Sequence, residues 1–369
     1  MHYLSSLICS FVVTKQHKGK VMRRTFYLMT IVMAALMMVA CNGGGKKRSS
    51  LNIFTPTSSG RAYELLVVCD DANWEGVAGR ALYDVLDTDV PGLPQPERSF
   101  RIMNTTPYGY NATLKMLRNI IKMDIDPSTY TQPKFRSEMN VYSNPQAILT
   151  IQGPDAESVA EYITKNGQAI VDFFTRAEMN RQIQVLEFQH SDMISKNVKE
   201  MFDCDVWVSG ELKSSKRGED FFWAGANAAS GDQNYVIYSY PYKDRRTFTQ
   251  DFFIQKRDSV MKINIPGAAE GTYMATDARF VTTRAFKLRG EYIFEARGLW
   301  KVKGDMMGGP FVSQSRVDTI NQRVITEEIF IYAPEKLKRN LVRGMEAALY
   351  TIKLPGKQVE DTQIPLQDE

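Results

Sequence analysis

Few residues in this chain are of a type and spacing suited to chemistry. Asp70 and Asp71 follow an apolar run, Tyr63–Cys69, and precede a helical pattern, where α/β proteins place ligand sites. Two carboxylates there could divide acid and base roles if their surroundings pushed their pKa values apart. With Asn73 they also offer hard oxygen ligands, although the spacing matches no calcium loop. The competing reading makes one of them a helix cap and leaves the other solvated. Past residue 40 the sequence holds a single histidine, His190, inside a helical stretch. Histidine-rich metal sites and the HExxH zinc motif are therefore excluded. There is no GxSxG elbow, P-loop, GxGxxG fingerprint or CxxC pair, so no cofactor or metal is expected.

A second stretch is unusual in composition. Arg297-Gly298-Leu299-Trp300 leads through Asp305, Met306, Met307, Gly308, Gly309 and Pro310 to Phe311. Paired glycines allow positive φ or close backbone approach, and paired methionines form an adaptable apolar surface. Arg297, Trp300 and Asp305–Pro310 are thus candidates for a binding loop. A tight hairpin whose Met and Trp cap the core is the alternative.

The elements that would position these groups are legible in part. Trp74, Val77, Ala78, Ala81, Leu82, Val85 and Leu86 follow helical spacing, with Asp71 or Asn73 as N-cap. Strands are expected at Phe100–Asn104, Asn119–Ile125 and Gln146–Gln152, with a long Pro/Ser/Thr/Gln-rich loop between the last two. A helix starts at Pro154, breaks at Asn166-Gly167 and resumes to about Phe188. Val206–Val208, Phe221–Trp223 and Tyr235–Tyr238 read as a meander with turns at Ser214–Gly218 and Ser230–Asp232, closed by a helix over Thr247–Met261. Tyr292–Lys303, Phe311–Val317 and Val324–Tyr332 read as strands, and Leu337, Leu341, Met345, Ala348 and Leu349 mark one helix face. Apolar strands running into Pro154, Pro241 and Pro334 suggest two or three related strand-strand-helix units. The expected class is α+β: antiparallel sheets with helices packed on one face.

The N-terminus carries a different signal. Arg23 and Arg24 precede an uncharged run from Thr25 to Ala40, followed by Cys41, which is signal-peptide anatomy. Met38-Val39-Ala40-Cys41 resembles a lipobox, with Met in place of the usual Leu, so Cys41 is the expected lipidation site. Residues 1–21 read as a start-site extension ahead of Met22, 22–40 as the signal peptide and 41–60 as a tether. The remainder divides into an N-terminal α/β half, 61–200, and a C-terminal α+β half, 201–369, or forms one continuous domain. The net charge of +4 is an effect of the leader and tether. Lys15, Lys18, Lys20, Arg23, Arg24, Lys46, Lys47 and Arg48 all lie there, and without them the folded part is net acidic. A nucleic-acid partner is not expected. At 43% hydrophobic and 24% charged residues, the composition is that of a globular protein with a sizeable core.

The RGLW and GDMMGGPFVS strings, together with Tyr238–Tyr242, Arg257-Asp258, Ile265-Pro266-Gly267 and Tyr332-Ala333-Pro334, resemble a lipoprotein family of Bacteroidota, domain of unknown function 4837. That resemblance, extending over the mature chain, implies a Gram-negative envelope lipoprotein with no activity to carry over. The Asn-Gly-Gly-Gly-Lys-Lys-Arg stretch after Cys41 lacks the acidic residues that surface-exported lipoproteins of that phylum often carry, which favours the periplasmic face of the outer membrane. The functional expectation is a membrane-tethered, non-enzymatic binding or envelope-assembly protein with an envelope protein or glycan as partner. The alternative is a carboxylate-dependent hydrolase of an envelope polymer.

Overall fold

The computed structural model describes residues 55–357 and 362–366. The signal segment, Cys41 and most of the tether lie outside those residues.

The chain first builds a five-stranded sheet from β1 (Glu64–Val68), β2 (Arg101–Thr105), β3 (Asn119–Ile125), β4 (Lys134–Met139) and β5 (Ala147–Gly153), in the order β2-β1-β3-β5-β4. All pairings are parallel except β4 with β5. The expectation of antiparallel sheets is corrected here. Near-continuous apolar strands such as ELLVV suit a sheet covered on both faces, as parallel sheets are. Helices α1 (Asp71–Glu75) and α2 (Val77–Leu86) follow β1, and α4 (Ala156–Lys165) and α5 (Gly167–Gln189) follow β5. Leu82, Val159 and Phe174 of these helices meet Leu65, Val67 and Ile121 of the sheet in one core. Leu66, Val68, Ile120 and Ile148 face the other way, beneath the short α3 (Ala112–Lys115). β4 occupies the interval expected to be loop. Its KFRSEM sequence is half-exposed and polar, so an apolar-run criterion passes over it.

The second sheet is antiparallel throughout. It comprises β6 (Ser214–Gly218), β7 (Phe221–Ala226), β8 (Asp232–Pro241), β9 (Tyr273–Leu288), β10 (Glu291–Lys303), β11 (Gly308–Asp318) and β12 (Arg323–Tyr332), ordered β6-β7-β8-β12-β11-β10-β9. The architecture is therefore α+β. Its helices cover both faces of this sheet rather than one. α6 (Asp192–Phe202) and α8 (Arg339–Glu346) place Ile194, Val198 and Val342 against Tyr235, Ile237 and Ile329. α7 (Gln250–Asn264) places Phe253 and Met261 against Val236, Tyr238 and Phe311. Strands apolar at both parities, such as YVIY and IFIY, need two buried faces. The strand-strand-helix order does recur, as β4-β5-α4, β7-β8-α7 and β11-β12-α8. The first instance belongs to the other sheet, and α7 and α8 pack on opposite faces of the second.

Local differences have local causes. Val206–Val208 is extended but joins no sheet, held by isolated bridges at Asp205–Lys353 and His190–Ser209. Ser214–Gly218 is β6 rather than a turn, and the reversal follows it at Asp220, whose φ is +48°. β9, rich in Thr and Arg along an exposed edge, left no apolar run to detect. Cys69 and Cys204 are buried free thiols in separate cores. Burial, reinforced by Asp70 and Asp71, pushes the Cys69 thiol up to about 12, which makes it inert.

The two halves are interlocked. Both carboxylate oxygens of Glu97, from the N-terminal half, accept the amides of Lys338 and Arg339 at 2.7 and 2.8 Å. Those are amides that the start of α8 leaves without intrahelical partners. Arg343 of α8 donates to the Ser99 carbonyl at 3.0 Å and lies 4.3 Å from the Tyr63 ring centroid.

Candidate functional site

A cavity of about 720 Å³ lies where the halves meet, within the size range of small-molecule and cofactor sites. One wall is the 88–91 turn and the Gln168–Met179 stretch of α5. Facing it is the run Thr282–Leu288 of β9. Glu295 and Arg297 of β10, with Arg343, Glu346 and Tyr350, form the base, and Ile364 and Pro365 close one side. Thr175, on the α5 wall, has a solvent-shielded Oγ1 without a hydrogen-bond partner among the described residues.

The base of the cavity is an ordered ionic network. Residues two apart on a strand share a face, so Glu295 and Arg297 point the same way. Glu295 Oε1 accepts from Arg284 Nε and Arg297 Nε, each at 2.7 Å, and Oε2 accepts from Gln314 at 3.1 Å. Strand register brings these groups together, since Arg284 and Gln314 lie directly across from Glu295 on either side. Arg297 reaches on to Glu346 through both terminal nitrogens, at 3.1 Å for Nη1. The chain continues into the core: Arg316 donates to Gln314 at 2.8 Å and to Glu327 at 3.2 Å, and Tyr235 donates to Glu327 at 2.6 Å.

Two of the buried glutamates in this network are opposite in character. Burial alone would raise the Glu295 carboxyl, but Arg297 and Arg284 beside it hold it at about 2. It is a fixed anion near neutral pH. Burial dominates at Glu327, raising it to about 7 against the opposing pull of Arg316 and the Tyr235 hydroxyl. Glu327 lies inside the sheet core, not in the cavity wall. On the opposite face, fully buried Arg257 forms a bidentate pair with Glu328 at 2.7 and 2.9 Å and caps Phe311 at 4.2 Å. That pair fastens α7 to the sheet.

The residues singled out in the sequence do not form one site. Asp70 caps α1, accepting the Asn73 amide at 2.9 Å and its side chain at 2.7 Å, while Asp71 is exposed in the first turn. Among the described residues, no cluster of three or more His, Cys, Asp or Glu could hold a metal ion. His190 ends α5, with Nδ1 2.9 Å from the Leu186 carbonyl and its ring stacked on Trp207. The Arg297–Pro310 stretch is the β10-β11 hairpin. Trp300 is buried, donating Nε1 to the Ile331 carbonyl at 3.2 Å. Gly309 packs so tightly that a Cβ there would sit 2.0 Å from the Ile331 carbonyl oxygen, and Pro310 is buried beside it. Asp305 and Met306 form the exposed tip, Met306 at 99% exposure, while Met307 and Gly308 turn back into the hairpin. Arg297 alone of this set lines the cavity. Glu295, Arg284, Arg343 and Glu346 escaped sequence reasoning. The available signal was charge at i, i+2 inside an apolar strand, Glu295-Ala296-Arg297, which an exposed strand would carry equally well.

Comparison with known families divides the chain at the same place as its fold. A family model described as Domain of unknown function (DUF4837) matches residues 191–351. A second, Domain of unknown function (DUF8532), matches residues 58–187. No curated protein matches the chain. The seam falls at the end of α5, where His190 closes one helix and Ser191 caps the next. The strings that carried the sequence resemblance all lie between residues 238 and 334, so that resemblance holds for the C-terminal half and not for the whole mature chain. Residues 191–351 thus match a domain-of-unknown-function family, DUF4837, and residues 58–187 a second one, DUF8532, and the cavity is walled by residues from both stretches.

Proposed function

We propose that this protein is a lipid-anchored component of a bacterial envelope, held through Cys41 at the periplasmic face of the outer membrane, that binds a ligand in the cavity between its halves without chemically transforming it. The observation that carries the reading is the base of the cavity. A general acid or base works best with a pKa near the working pH, whereas Glu295 is pinned at about 2 by two guanidinium groups. Glu346 is engaged by Arg297, and Asp70, outside the cavity, is spent on a helix cap. Fixed, paired charges on rigid strands suit recognition better than proton transfer. The leader pattern supports the anchor, and among the described residues no helix is long and apolar enough to cross a membrane.

The anchor is tested by Cys41→Ala, which should abolish labelling with an alkyne fatty acid; retained labelling refutes Cys41 as the attachment site. Binding is tested by Thr175→Trp, which fills the cavity from the α5 wall. Native mass spectrometry against envelope peptide and muropeptide fractions should show adducts on the wild type that this variant loses. Equal adducts on both would remove the cavity from consideration, and release of a cleaved product would establish an enzyme instead.

A further inference from the structure

The cavity follows a sheet edge. All seven residues from Thr282 to Leu288 line it. Alternate residues of a strand point to opposite faces, so a space touched by both sets runs along the edge rather than over one face. Among the described residues, β9 is the terminal strand of its sheet and pairs with β10 alone, apart from an isolated bridge at Tyr273, the far end of the strand. The hairpin joining the two strands has a two-residue loop, Arg289-Gly290, both with positive φ of 52° and 74°. Such a loop makes Leu288–Glu291 a hydrogen-bonded pair, and the pairs alternate from there. Thr283, Ala285 and Lys287 therefore turn their amides and carbonyls away from β10. A stretch of this length whose outward amides and carbonyls meet no backbone partner among the described residues is a template for another strand.

We propose, resting on the binding role assigned to the cavity, that its ligand is an extended acidic peptide segment that adds to the β9 edge as an extra strand, in the gap between β9 and α5. Main-chain hydrogen bonds to Thr283, Ala285 and Lys287 supply affinity, and alternate side chains supply selectivity, as in other cases of strand addition. The preference for acid comes from Lys287, which is exposed on this edge and makes no ion pair among the described residues; Arg284, three positions before it and on the other face of the strand, is already bonded to Glu295. A lysine on a sheet edge also discourages pairing with neutral apolar strands, so it selects among partners.

The test is a random decapeptide display library panned on the full chain in detergent. Enriched sequences should alternate acidic and apolar residues. Ala285→Pro removes one outward amide without touching a bond to β10, and it should weaken the selected peptides at least tenfold, while Ala285→Val leaves them bound. N-methylation of alternate peptide amides, measured on the unaltered protein, should produce the same loss and guards against a misfolded proline variant. No enrichment above the library, or peptides indifferent both to the Ala285 amide and to N-methylation, overturns strand addition. Peptides lost on Thr175→Trp but indifferent to those two changes overturn it while leaving the cavity as a binding site. Peptides lost on Ala285→Pro but unaffected by Thr175→Trp keep strand addition and remove the cavity.

Discussion

Replacing Arg297 with Met tests whether the ionic floor of the cavity is structural. The Arg297 side chain is largely buried and shared between two acids that are themselves nearly inaccessible, Glu295 and Glu346. In the variant Glu295 keeps Arg284 and Gln314, whereas Glu346 is left without a side-chain partner among the described residues. Orphaning one member of a buried pair costs about 3–5 kcal/mol, because the remaining charge stays desolvated. That is a large part of the roughly 5–15 kcal/mol by which a domain is stable. Replacing both members with apolar groups of similar size is often neutral, so Arg297→Met/Glu346→Leu should regain most of the loss. Urea unfolding followed by tryptophan fluorescence and far-UV circular dichroism measures both, provided the denaturant slope is unchanged. The reasoning fails if Arg297→Met costs less than about 1 kcal/mol, or if the double variant is no more stable than the single one, since the coupling between the two side chains would then be absent.

Acid and base should act on this fold through different glutamates. Because Glu295 is lowered from 4.5 to about 2, the unfolded chain binds more protons in that interval, so its contribution of about 3 kcal/mol is present above pH 4.5 and fades as the pH falls towards 2. Glu295→Gln should remove that dependence in urea melts taken across the range. Glu327, raised from 4.5 to about 7, has the reverse sign: the folded chain holds the extra proton, and its stability contribution declines as the pH rises from 4.5 to 7. Glu327→Gln should therefore gain on the wild type between pH 5 and pH 8, and a constant difference would contradict the shift. In the β10-β11 hairpin, Gly309→Ala meets the Ile331 carbonyl and should lose at least about 2 kcal/mol, as overpacked sites do, whereas Met306→Ser at the exposed tip should stay within about 0.5 kcal/mol. Thermal melts that rank the two the other way would reverse the assignment of which part of that stretch is core.

Sequence by itself determined the elements whose residues carry their own instructions. The β3 limits, the α4–α5 break at Asn166-Gly167 and the apolar β8 and β12 are local patterns of period and capping, and they form where their residues place them. The mixed α+β class follows from the same patterns. Polar strands were not legible: β4, β6 and β9 are exposed along much of their length, so they carry little apolar pattern, and only pairing with a neighbouring strand marks them as strands. The candidate site was legible at one residue, Arg297, and for a reason that the structure does not use. Tertiary structure alone decided the rest. Glu295 meets Arg284 and Gln314 only through strand register, and Glu346, 49 residues on, reaches Arg297 only because Glu97 and Ser99 anchor α8 beneath the sheet. The same burial that gives these charges their fixed states is a property of packing between two halves, and no single stretch of sequence contains it.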